Sequence, residues 1–152
     1  MVLVLGTLSS YNGLISKEET VNTAWSNLQS QYQRRADLIP NLVNTVKGYT
    51  SHENETLTKV VEARAKATSL MVNAEDLTPE RAKQIQEAQS ELSNLVGRLL
   101  MVQENYPELK ASEQFSELQA QLEGTENRIA ESRRTYNESA KEFNVSVRKF
   151  PT

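Results

Sequence analysis

Apolar residues recur every three or four positions along most of this chain, the rhythm of helices packed on one another. Val21, Ala24, Trp25, Leu28 and Tyr32 form the first such stripe, with Asn, Ser and Gln between them. Ahead of it Ser16-Lys17-Glu18-Glu19 reads as a capping box, in which the serine oxygen takes an orphan amide and the glutamate reaches back to the cap. The first helix is therefore predicted over 17–36. Pro40 then removes one N–H and disfavours helical backbone at Ile39. Either the helix kinks and continues, or it breaks and Asp37 caps a new one. The reading taken is a break, with Pro40 in the first turn of a second helix.

That second helix is predicted over 40–72, on the stripe Leu42, Val46, Thr50, Glu53, Leu57, Val60, Arg64, Ala67 and Met71. Gly48 weakens it by about 1 kcal/mol relative to alanine. The stripe also carries Glu53 and Arg64 towards the interior. Thr78-Pro79-Glu80 is a clean start for a third helix over 79–105, and Tyr106-Pro107 stops it. A fourth runs over 112–149, with Phe115, Leu118, Leu122, Thr125, Ile129, Tyr136, Phe143 and Phe150 on its stripe. About 36 residues make a rod of roughly 54 Å. No stretch alternates with period two, so the fold class is all-α. Short connections between long helices point to an elongated antiparallel up-and-down four-helix bundle. An extended helical hairpin pairing with a second chain buries the same stripes and is the alternative.

Composition narrows the function classes. Seventeen Lys and Arg against twenty Asp and Glu give a net charge of −3, and a nucleic-acid binder is usually clearly basic. Without cysteine the chain has no disulfide, thiolate metal site, cysteine nucleophile or lipid-accepting cysteine. A carboxylate-bridged metal pair needs two Glu-x-x-His units. The one histidine, His52, has Tyr49 three residues before it. No nucleophile elbow, phosphate loop or dinucleotide glycine pattern occurs. No catalytic, cofactor or metal residues are therefore assigned, and no cofactor is expected.

Two charged runs remain. Arg34, Arg35 and Asp37 stand near the first turn, and Glu126 and Arg128 in the fourth helix. Solvated i,i+4 pairs account for such runs at about 0.2–0.5 kcal/mol each. The sharper expectation is an inter-helix polar layer of Arg34, Arg35, Asp37, Glu53, Arg64, Glu126 and Arg128 that sets register.

The start of the chain, residues 1–10, opens with MVLVLGTL, too short for the roughly 20 apolar residues that cross a bilayer. It reads as a disordered start or as the remnant of an anchor, ahead of one helical domain over 11–152.

Several ordered runs carry a resemblance. They include Gln33-Arg34-Arg35-Ala36-Asp37-Leu38-Ile39-Pro40-Asn41-Leu42, Tyr106-Pro107-Glu108-Leu109-Lys110 and Leu122-Glu123-Gly124-Thr125-Glu126-Asn127-Arg128-Ile129. From about Tyr11 to Pro151 the chain resembles the bacterial LemA family. The resemblance implies a helical domain tethered to the bacterial inner or cell membrane by one N-terminal span, or in some members by a lipidated cysteine. It implies no established enzymatic activity. This chain departs from that pattern at its start, and the expectation is an anchor trimmed or not included. The expected partners are proteins of unknown identity and the membrane, with no nucleic acid and a possible homo-oligomer. The first functional hypothesis is a membrane-tethered scaffold or interaction module. Its rivals are a self-assembling bundle that organises a membrane compartment, and a hydrolase or ligand-binding bundle with a polar internal site.

Overall fold

The computed structural model describes residues 2–149, with side chains from Ser10 onward. The fold is all-α, with no strand among the described residues. Four helices are long: α1 (Val2–Lys47), α2 (Asn54–Leu70), α3 (Pro79–Met101) and α5 (Glu113–Lys149), with the single turn α4 (Pro107–Lys110) before the last. Short 3-10 segments cover Ala74–Asp76 and Val102–Asn105. Phe150, placed on the fourth stripe by its spacing, lies outside the described residues.

The first helix differs most from expectation. Ser16 does not open it, because α1 is already helical there and the Ser16 carbonyl accepts from Thr20 Oγ1 at 3.0 Å. Nor does Pro40 break it; the proline sits inside α1. A mid-helix proline costs roughly 3 kcal/mol, partly because the carbonyl four residues earlier loses its donor. Here that carbonyl belongs to Ala36, and it accepts a hydrogen bond from Arg64 Nε of α2 at 2.7 Å. Pro40 itself is exposed, while Ala36, Ile39, Val43 and Val46 bury an unbroken stripe across it. Packing on both sides and a replacement donor carry the helix through.

The reversal comes later. α1 ends at Lys47, and the amides of Gly48, Tyr49 and Thr50 satisfy its last carbonyls. The turn runs to Glu53, so Gly48 and His52 lie in a connection rather than mid-helix. α3 starts as its sequence indicates: the Thr78 side chain accepts from the Arg81 amide at 3.1 Å, and Pro79 takes the first helical position. It ends at Met101, four residues short of Asn105, where the last stretch tightens to 3-10 geometry. Ser112 Oγ accepts from the Phe115 amide at 3.3 Å and opens α5.

Side-chain pairs give the helix directions. Lys17 pairs with Ser146, Trp25 with Tyr136 and Arg35 with Glu126, so α5 runs back along α1. Gln86 with Asn137 and Ser93 with Glu126 show α3 antiparallel to α5. The core has two apolar parts. One gathers Ile39, Leu42, Val46, Val60, Leu99 and Phe115; the other gathers Trp25, Leu28, Tyr32, Ile85, Ile129 and Tyr136. At about 1.5 Å per residue, α1 is about 69 Å long and α5 about 55 Å, against about 35 Å for α3. The α1–α5 pair therefore projects beyond the shorter helices.

Candidate functional site

Between the two apolar parts lies one polar level. On α1 it falls between Tyr32 and Ile39, on α3 at Gln89 and Ser93, and on α5 between Leu122 and Ile129. At its centre Arg35 is 0% exposed. Arg35 Nη1 donates to Glu126 Oε1 of α5 at 2.6 Å and also to Ser93 Oγ of α3. Nη2 donates to the Gln89 carbonyl at 2.9 Å and to Gln89 Oε1 at 2.6 Å. Ser93 Oγ in turn donates to Glu126 Oε2 at 2.9 Å. One guanidinium thus ties three helices, and its five-donor fork suits that task where a lysine ammonium does not.

Burying an ion pair carries a desolvation cost that can exceed the Coulombic gain. Glu126 keeps 33% of its side chain in solvent, which lowers that cost, whereas Arg35 relies on its partners. The Tyr32 ring lies 5.7 Å from the guanidinium carbon. Burial pushes the Tyr32 phenol up to about 12; the Arg133 and Arg35 cations pull against this and Glu126 adds to it. The Tyr32 hydroxyl and Arg35 Nε are buried without a hydrogen-bond partner among the described residues.

The charged residues singled out by sequence separate into distinct roles. Arg35 and Glu126 meet across the helices. Arg64 is half-buried one level away, on the Ala36 carbonyl. Arg34, Asp37 and Arg128 are exposed: Gln33 Nε2 donates to Asp37 at 2.8 Å, and Arg128 Nη2 donates to Thr125 Oγ1 of its own helix at 3.4 Å. Glu53 stands half-buried at the N-cap of α2, outside the helix interior. Sequence reasoning missed Gln89 and Ser93. Gln89 lay on the apolar stripe of α3, where a polar residue is a signal; Ser93 gave none.

Among the described residues, no group of three His, Asp or Glu is placed to hold a metal ion. Among the same residues, no helix is long and apolar enough to cross a membrane. The polar level can hold helices in register; its arginine is already committed on both terminal nitrogens.

The model of the LemA family matches residues 24–152, a span that contains the whole polar level. The chain belongs to the LemA family. Protein LemA of Metamycoplasma hominis is 28% identical over 141 residues, covering 93% of this chain and 61% of that protein. Magnetosome protein MamQ of Magnetospirillum gryphiswaldense is 26% identical over 162 residues, covering 95% of this chain and 59% of that protein. Magnetosome protein MamQ 2 of Paramagnetospirillum magneticum is 27% identical with the same coverage. This LemA-family chain therefore spans about three fifths of the length of these relatives.

Proposed function

We propose that this chain is a membrane-tethered helical scaffold or interaction module of the bacterial envelope, and that it works through its outer surface without catalysis. In this reading α1, α2, α3 and α5 close as an up-and-down four-helix bundle. The Arg35–Glu126 level fixes which helix faces lie together. The observation that carries the reading is the unbroken course of α1 from Val2 to Lys47. One rigid rod joins the apolar run at residues 2–8 to the deepest part of the core, so a load or partner on the bundle is held at a set distance from that end. The reading puts the apolar end at the bilayer.

Fractionation of the organism's own cells tests the tether. The protein is expected in the membrane pellet after an alkaline wash and in the soluble phase only after detergent. Recovery in the first supernatant would overturn the tether.

A second reading has its own support. Tyr11, Ile15, Val145 and Val147 leave apolar surface exposed on the projecting α1–α5 pair, and two relatives are named as magnetosome proteins. Copies pairing side by side along this surface would build an assembly that organises a compartment. A mass that rises with concentration in light scattering, and falls back in a Tyr11→Ser/Val147→Ser variant, supports this reading over the first.

A further inference from the structure

α3 packs on α2 and reaches the α1–α5 pair through Gln89 to Arg35, Ser93 to Glu126 and Gln86 to Asn137. α3 starts at Pro79, and α1 and α5 are joined further out by Lys17 Nζ to Ser146 Oγ at 2.6 Å. Along α3 from Pro79 to Asn94 lies a groove of about 1150 Å³, walled by α1, α3, α5 and the 3-10 turn before α3. Its floor is apolar. Val21, Leu77, Ala140 and Phe143 are half-buried there around the buried Tyr136. They remain partly in water in the open groove.

The groove's edge has a charge bias. Glu18, Glu75, Glu87 and Glu91 line it against one ammonium, Lys83. Glu91 also faces Lys66 of α2 at 3.8 Å. The other three carboxylates are exposed and set around the apolar floor. An apolar furrow between two helices is the shape that an amphipathic helix fills, with residues at i, i+3, i+4 and i+7 as anchors. Flanking carboxylates select for a positively charged flank through steering and register more than through raw affinity.

We propose that this groove docks an amphipathic helix of a partner protein, one with an aliphatic face on the Val21–Leu77–Phe143 floor and Lys or Arg beside it. The inference rests on the interaction-module reading and names the class of partner. It requires no rearrangement of the buried core, since the docked helix lies beside α3 on floor residues already partly open to solvent. Because the carboxylates are exposed, the electrostatic part weakens as salt rises.

The test uses the full chain and two labelled synthetic helices of equal length. Both carry Leu at i, i+3, i+4 and i+7; one has Lys and the other Glu at the remaining positions. The Lys helix is expected to bind roughly tenfold or more tighter than the Glu helix at low salt, with the gap closing as salt rises. Ala140→Trp fills the groove without changing charge and is expected to weaken the Lys helix by about tenfold. Glu18→Gln/Glu87→Gln is expected to weaken it by a smaller factor and to flatten its salt dependence. Circular dichroism checks that each variant keeps its helix content, and Glu104→Gln, outside the groove, controls for net charge. Equal binding of both helices, or unchanged binding by Ala140→Trp, overturns the proposal. So does a doubled mass of the chain alone that Ala140→Trp returns to monomer, because the occupant is then a second copy. Any of these results leaves the fractionation test of the tether to stand or fall separately.

Discussion

At the scale of single residues, Arg35 sets the terms for its neighbours. Its cation is fully buried, and Glu126, Ser93 and Gln89 compensate it. Glu126→Gln keeps the shape and removes the countercharge. Breaking a buried pair typically costs 3–5 kcal/mol, and partial exposure of Glu126 brings the expected loss down to about 2–3 kcal/mol. Urea unfolding at neutral pH measures it. Unchanged stability and unchanged oligomeric state together would remove the register role from this level. Replacing both partners, Arg35→Met with Glu126→Leu, is expected to cost less than Glu126→Gln alone, since no charge is then left buried.

Tyr32 gives a pH prediction with a definite sign. In the unfolded chain a tyrosine ionises near 10, whereas burial holds this one up to about 12. The folded protein therefore keeps a proton that the unfolded chain gives up. Stability from this group is full below pH 10 and is lost as pH rises towards 12, by at most about 2–3 kcal/mol. Tyr136 is raised by burial too and adds in the same direction. Tyr32→Phe should shrink the fall in the urea midpoint between pH 9 and about pH 11.5, leaving the Tyr136 part. At neutral pH the variant is expected to match or slightly exceed the parent, because the Tyr32 hydroxyl is buried without a partner among the described residues.

At the scale of elements, Pro40 and Arg64 form a reciprocal pair. The proline orphans the Ala36 carbonyl and the arginine of α2 supplies the donor. Arg64→Met should destabilise by about 1–3 kcal/mol by leaving that carbonyl unsatisfied. Pro40→Ala restores an intrahelical donor, so Arg64→Met should cost less in that background by about 1 kcal/mol or more. Additive effects in the double-variant cycle would show that the contact does not serve this purpose. The same pair marks where sequence reading stops. Local rules see a proline and a capping aspartate and place a turn there; the replacement donor lies 28 residues away and belongs to tertiary structure. The starts of α3 and α5 were legible because Thr78-Pro79 and Ser112 act on their own neighbours. Arg35 and Glu126 were legible as charges beside apolar stripes. Their separation from Arg34, Asp37 and Arg128 was not, because a shift of one position around a helix decides between core and water.

At the scale of the whole molecule, the described residues present a groove edged with carboxylates and a projecting helix pair with exposed apolar residues. Both features point outward, and a continuous α1 connects them to the apolar start of the chain. These features support the proposed role through contact rather than chemistry. Photo-crosslinking in the organism's own cells tests it most directly, with a photoreactive residue replacing Lys83 at the groove, Val147 on the projecting pair, or Glu104 as a reference position. Adducts of discrete mass containing a second protein are expected from Lys83 and few from Glu104. Adducts containing only further copies of this chain, or equal labelling at all three positions, would contradict it.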